Sequence, residues 1–349
     1  MDSLTHTFVG AGVALAVLGP RMSPRKAVVL GAMLGTLPDL DVFWPFDDPV
    51  DAFVLHRSAT HSLLVQTIAT PVLGEVVMRV FRELRAERWR SWLVVYLGLT
   101  THALLDSLSI YGTQLLWPMS IRPFGIGSVF SIDPLYTIPL LVVTVWALSL
   151  RTWTNRYRRG LTVGLAVSVG YLGWSLLGQQ LATGRAEAAL AARGIEPSRI
   201  LTTPTPFNTL FWRSIAIDGD RYLNVYVPVL GDLADVTVYQ HPRLPRDMTE
   251  TPEAFAKIEA ASTLMAFTKG FWSAEREGAT VVVADLRMGL TPAYVFRFAV
   301  AEALAAGVMS VEPRRVPLAR TANGDFSWLW AGIIGRRAVR PAEASSLMD

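Results

Sequence analysis

The sequence predicts an α-helical polytopic membrane bundle of about six transmembrane helices, followed by a small α+β extracytoplasmic domain. Three observations carry that prediction. Of the 349 residues 51% are hydrophobic and only 17% are charged, a balance too apolar for one soluble globule. Apolar runs close to bilayer-spanning length recur through the first half of the chain. After about residue 184 the pattern changes to the period-two alternation of strands. The chain therefore divides into a membrane helical domain, residues 1–184, and a soluble domain, residues 185–340.

Taken in order, the apolar segments fall near 4–19, 26–44, 61–81, 92–117, 132–150 and 161–181. Each approaches or reaches the ~20 residues that a spanning helix needs. The first is short and rich in glycine. It follows Asp2 instead of a positive leader, and no small-residue cleavage site comes after it, so it is read as a retained helix. Gly31 and Gly35 in the second have the spacing that lets helices approach closely. Arg21, Arg25 and Lys26 follow the first segment, Arg82, Arg85, Arg88 and Arg90 the third, and Arg151, Arg156, Arg158 and Arg159 the fifth. The alternate loops hold Asp47, Asp48, Asp51, Arg57 and Arg122, with far less positive charge. Positive loops stay cytoplasmic, so both termini and the C-terminal domain are placed outside the cytoplasm.

In the soluble part, "SIAIDGDRYLNVYVPV" (214–229) alternates around a Gly-containing turn and reads as a β-hairpin. Residues 251–275 read as an amphipathic helix opening at Thr251-Pro252. "ATVVVADLRMG" and "AYVFRFAVAE" read as strands, and "FSWLWAGIIG" (326–335) is too short to span, so it belongs to this domain or to the membrane interface. The last dozen residues read as a loose tail.

Composition also narrows the chemistry. Cysteine is absent, so disulfides and thiolate metal sites are excluded and any metal must be held by His, Asp or Glu. The net charge of +3 is small and no basic block marks a nucleic-acid surface. Polar residues in the membrane half are the informative ones. "THALLDSLSIYGTQLLWP" (101–118) carries His102 and Asp106 four residues apart in an otherwise apolar segment. Such groups cost a few kcal/mol at membrane depth unless partnered. His6, Asp39, Asp41, His56 and His61 all fall, under the proposed topology, in the same outer half.

Positions i and i+4 share a helix face, so His102 and Asp106 can reach one ion. Imidazole and carboxylate without thiolate suit zinc, with manganese or iron possible. A catalytic site keeps a position open for a water that the metal acidifies, and two-metal sites favour phosphoester hydrolysis. Each residue also has a plainer reading. Asp2 and Asp133 suit helix caps, Asp39 a turn after Pro38, His56 an interfacial position, and His61 a place after an N-cap at Thr60. Tyr111 and Thr113 suit a turn around Gly112, and His241 an ordinary surface site. His102 and Asp106 can simply be a hydrogen-bonded pair that stabilises the bundle.

"MDSLTH", "GTLPDLD", "HRSATHSL", "THALLDSLSIYGTQLLWP" and "FSIDPLY" occur in this order and together resemble the YdjM-type family of bacterial inner-membrane proteins, described as predicted metal-dependent hydrolases. "TPTPFNTLFWRSIAIDGDRY" (203–222) resembles the longer members. The family is more remotely similar to zinc-dependent phospholipases C and related single-strand nucleases. That resemblance implies that His102 and Asp106 match an H-x-x-x-D pair, with His6, an Asp of "LPDLD" and a His of "HRSATHS" filling other ligand positions. A second such helix and an N-terminal tryptophan are not evident, so one or two metals fit better than three.

The reading that follows is a zinc-dependent membrane hydrolase acting on a phosphoester of a lipid or lipid-linked substrate. His6, Asp41, His61, His102 and Asp106 are its metal ligands; Asp39 or His56 is the general base or ligand-orienting partner, and Arg57 holds phosphate. Its rivals are a membrane scaffold with a structural metal and a metal or proton transporter. Against transport, the polar groups cluster at one side and no inverted repeat is visible.

Overall fold

A computed structural model describes residues 1–245, 256–304, 307–317 and 324–348 of the chain. These residues form two compact units. The first comprises 1–44, 57–176 and 206–208; the second comprises 45–56, 177–205 and the chain from 209 onward.

Helices α1 (Ser3–Leu18), α2 (Pro24–Thr36), α4 (Leu63–Val80), α5 (Arg88–Leu108) and α6 (Pro134–Ser149) build the first unit, with the opening part of the 37-residue helix α7 (Asn155–Ala191). Helix starts follow local chemistry. Asp2 accepts from Thr5 N at 3.0 Å to cap α1, and Asp133 accepts from Leu135 N at 3.0 Å to cap α6, as the sequence suggests. The cap of α4 is Ser62, not Thr60. Ala11, Leu15, Leu30, Leu34, Val94, Val95, Leu99 and Leu161 pack together as its core.

Two apolar segments are not helical throughout. The 26–44 run is α-helical only to Thr36, where Pro38 cannot supply the next backbone N–H, and continues as a 3-10 helix, Leu37–Phe43. The 92–117 run leaves the helix after Leu108 and turns at Gly112, whose φ of 98° suits glycine. Among the described residues Ser3–Arg21, Leu63–Val80 and Asn155–Ala191 are long and apolar enough to cross a membrane, and Pro134–Ser149 is apolar but shorter.

α1 and α2 touch backbone to backbone. A Cβ on Gly31 would lie 2.2 Å from the Gly10 carbonyl oxygen, and one on Gly35 would lie 2.3 Å from that of His6. Gly31→Ala is therefore expected to cost ~1–3 kcal/mol by forcing the helices apart. Gly173→Ala, with open space around it, should cost nothing. Melting of the detergent-solubilised variants checks this, and equal melting of the two would refute the close approach.

The second unit contains antiparallel sheets. In the larger, β1 (Arg199–Pro204), β2 (Phe211–Asp218), β3 (Arg221–Pro228), β4 (Thr237–Pro242) and β11 (Leu347–Met348) lie in that order. The other has the order β10 (Gly307–Arg315), β9 (Arg297–Leu304), β6 (Thr280–Asp285), β5 (Trp272–Glu277), and a short ribbon pairs β7 (Gly289–Leu290) with β8 (Ala293–Tyr294). The β2–β3 hairpin is the one expected, turning at Gly219 with φ 59°. Ala182, Ala186 and Leu190 of α7 pack on Trp212, Leu223, Val225 and Val238. Helix α3 (Pro49–Leu55) belongs here too, with Phe53 against Phe267, Phe296 and Phe298.

Three expectations for this unit are corrected. The helix expected over 251–275 is α8 (Glu259–Phe267), and Trp272–Glu277 is strand β5; residues 251–255 lie outside the described part. His241 is not a surface residue: it is buried, with Nε2 2.7 Å from Glu343 Oε1. The tail is not loose. Residues Pro341–Ser346 form a 3-10 helix and Leu347–Met348 pair with Tyr239 and Val238.

Glu343, completely buried, accepts from Asn224 Nδ2 at 2.5 Å and Tyr226 Oη at 2.6 Å. Arg340 Nη1 donates to its other face at 2.8 Å. Arg213, also buried, bridges Asn224 Oδ1 to the Leu286 and Gly289 carbonyls. Burial alone would raise the Glu343 carboxyl; the His241 hydrogen bond, the Arg340 charge and the Tyr226 hydroxyl outweigh it and hold it at about 2. Helix α9 (Asp325–Ile333) sets Trp328 on Phe211, Tyr226 and Tyr239.

Candidate metal centre

The polar residues of the first unit meet at one buried point. His102, on α5, and His61, at the end of the 3-10 turn Ala59–His61, bring their Nε2 atoms to 3.1 Å. His102 Nδ1 lies 2.6 Å from the Gly35 carbonyl oxygen, which can only accept. Nδ1 therefore carries a proton, and in the neutral ring Nε2 presents a lone pair.

The same logic fixes His61. Its Nδ1 faces Asp41 Oδ2 at 3.3 Å and Thr60 Oγ1 at 2.9 Å, and the Thr60 hydroxyl already donates to Asp41 at 2.7 Å. The proton sits on Nδ1, leaving a second lone pair on Nε2. With both rings neutral, two buried lone pairs 3.1 Å apart repel unless a positive centre, a proton or a cation, lies between them.

Two carboxylates complete the group. Asp39 Oδ1 is 3.4 Å from His102 Nε2 and 3.8 Å from His61 Nε2. Asp106 Oδ2 is 3.5 Å from His102 Nε2 and 3.4 Å from His61 Nε2. One donor atom from each of the four residues lies within 4.8 Å of all the others. An ion bonded at about 2.0–2.1 Å to four tetrahedral donors keeps them roughly 3.3–3.4 Å apart. The residues present fit a divalent cation.

The remaining expected site residues surround this group. His6 stacks on His102 with ring centroids 3.6 Å apart, and its Nε2 is 3.1 Å from Asp106 Oδ1. His6 Nδ1 is buried with no hydrogen-bond partner among the described residues. The Met1 amino nitrogen also contacts Asp106 Oδ1. Arg57 places Nε 3.1 Å from Asp106 Oδ2 and lies over the Tyr111 ring at 4.9 Å. Its backbone has φ 65°, held by its N–H donating to Asp41 at 3.1 Å and its carbonyl accepting from Gln114 N at 3.0 Å. Arg57 Nη1 is buried without a hydrogen-bond partner among the described residues. His56 ends α3 and groups with the second unit.

Asp39 and Asp41 face different ways for a geometric reason. On a 3-10 helix positions i and i+2 are about 240° apart around the axis. Asp39 joins the donor group, while Asp41 stands behind His61. Thr60, Gly35 and Gln66 were missed as supporting residues. Gln66 Nε2 donates to the Thr60 carbonyl at 2.9 Å and steadies the turn that carries His61. The only available signal was Thr60 beside His61, which also suits a helix cap.

A helical unit with spanning-length apolar helices and a buried His/Asp cluster able to hold a cation defines a membrane protein with a candidate metal centre. The chain belongs to the YdjM inner membrane protein family, whose model matches residues 1–182. It is 30% identical over 178 residues to the inner membrane protein YbcI of Escherichia coli (strain K12), covering 50% of this chain and 94% of that protein. It is 25% identical over 153 residues to the uncharacterized protein YfhP of Bacillus subtilis (strain 168), covering 42% of this chain and 46% of YfhP. No solved structure matches the chain.

Proposed function

We propose that this protein is a zinc-dependent hydrolase of the bacterial inner membrane that cleaves a phosphoester of a lipid or lipid-linked substrate. The observation that carries the reading is the pair of histidine Nε2 atoms 3.1 Å apart, with carboxylate oxygens of Asp39 and Asp106 3.4–3.8 Å from each of them. Under this reading Asp39, His61, His102 and Asp106 hold the metal, and His6 and Asp41 orient ligands by hydrogen bonds. Nitrogen and oxygen donors favour zinc, with manganese or iron as substitutes. Such an ion supplies acidified water and a Lewis acid for a phosphoryl oxygen.

The chain's own residues do the rest. Arg57, with a buried nitrogen to spare, binds the phosphate oxygens, and the Asp106 charge 3.1 Å from its Nε holds the guanidinium at the site. Asp41, through His61 Nδ1, keeps Nε2 in its ligating tautomer. The positive loops support a multi-pass arrangement of about six crossings, with both termini, the second unit and the site toward the outer face. A second reading, a structural metal in a non-catalytic protein, is favoured by one observation: four protein donors lie within 4.8 Å of one another, enough to fill a four-coordinate shell without water.

Elemental analysis of the detergent-purified protein, then hydrolysis of a chromogenic phosphodiester and of phospholipid vesicles, separates these readings. Bound zinc with turnover that a chelator abolishes supports the hydrolase; zinc without turnover supports the structural role. No metal after zinc is supplied at neutral pH removes both. Asp41→Asn should retain the fold and weaken zinc about 10–100-fold by freeing the His61 tautomer. Unchanged affinity by competitive titration would exclude that role.

A further inference from the structure

Helix α9 carries an apolar stripe on each side. Its inner stripe, Trp328 and Gly332, packs on Phe211, Tyr226 and Tyr239. Its outer stripe, Phe326, Trp330 and Ile334, recurs every fourth residue and is 81%, 57% and 41% exposed. Leu230, 64% exposed, extends it, because Gly335 packs against the backbone of Leu230 and Gly231. The exposed Arg336 and Arg337 follow directly. A helix with aromatic and aliphatic residues on one free face and arginines at its edge has the composition of an interfacial helix.

What covers this face follows from how it is tied to α7. Gly332 rests on Phe211, and the adjoining Trp212 packs on Gly178 of α7. Arg185 of α7 donates to the Pro228, Val229 and Gly231 carbonyls, at 2.8, 3.0 and 2.7 Å, and so holds the loop that abuts Gly335. Residues 178 and 185 straddle residue 181, where the last apolar segment ends. At about 1.5 Å per residue, both lie within roughly 6 Å of the edge of the hydrocarbon. Two separate contacts thus bring α9 to the level at which α7 leaves the membrane.

The geometry points to a lipid surface as the partner: the outer face of α9, with Leu230, inserts into the headgroup–acyl boundary, and Arg336 and Arg337 meet anionic headgroups. The second unit is then held on the bilayer by its own amphipathic helix as well as by α7. This is independent of the metal chemistry.

The absence of cysteine makes the test direct. Phe326→Cys, Trp330→Cys and Ile334→Cys, each spin-labelled in the full chain in nanodiscs containing anionic lipid, are compared for collision with oxygen and with a water-soluble nickel chelate. Val169→Cys, on the exposed face of the apolar part of α7, is the lipid reference, and Asp220→Cys, in the β2–β3 turn, is the water reference. The expected result is an oxygen-to-nickel ratio above one at all three α9 positions, as at 169, with the reverse at 220. A ratio below one at the three positions overturns the proposal, and so does protection from both reagents, which would mean that protein covers the face. Parent-like melting of each labelled chain shows that the ratio reports the native fold.

Discussion

His102→Ala should reduce bound zinc from stoichiometric to undetectable in folded protein, whereas His6→Ala should keep the metal with affinity weakened about 10–100-fold. The difference follows from position. His102 Nε2 stands 3.1, 3.4 and 3.5 Å from the other three donors, so its removal opens one corner of the tetrahedron. His6 faces only Asp106 Oδ1 with Nε2 and acts through the orientation of that carboxylate. The His102→Ala truncation also frees the Gly35 carbonyl, a cost of ~1–3 kcal/mol if no water reaches it. Circular dichroism must therefore accompany the metal analysis. Folded His102→Ala protein that retains its zinc would sink the proposed ligand set.

Glu343→Ala should cost the second unit about 3–5 kcal/mol, the expense of breaking one side of a buried charged network. Arg340, His241, Asn224 and Tyr226 all converge on that carboxylate. Glu343→Gln, similar in shape, should cost less. The pH dependence gives a second reading of the same network. The Glu343 pKa is lowered in the folded state, from its ordinary 4.5 to about 2. Its contribution to stability is therefore complete above about pH 4.5 and disappears as pH falls toward 2. Denaturant unfolding followed by tryptophan fluorescence should show this loss in wild type and not in Glu343→Gln. Parallel acid profiles for the two proteins would remove Glu343 from the explanation.

These two sites differ in how far they could be read from the chain. His102 and Asp106 are legible because local spacing on one helix sets their common face. Their convergence with His61 and an Asp of "LPDLD" is legible through topology, since charged loops order the helix ends. Which aspartate turns inward was not, because the decision depends on the helix changing from α to 3-10 geometry at Pro38. Glu343 and His241 were invisible for another reason. They are 102 residues apart, and each alone looks like a surface polar residue. The mixed tail sequence hides β11 in the same way, since a two-residue strand has no period to detect. The β2–β3 hairpin and strands β6 and β9 were legible from their local alternation; β5 and β11 were not.

Strand β11 also governs how the second unit can be made. β4 has its outer neighbour only when residues 347–348 are in place, about 150 residues of synthesis after β1 begins. Until then Tyr226, Asn224 and His241 are polar groups awaiting Glu343, and β4 is an open template for other chains. A chain truncated before residue 340 thus leaves the β4 edge and these buried polar groups unpaired. Synthesis of residues 343–348, not the appearance of the first strands, is the step that closes this sheet and its buried polar network.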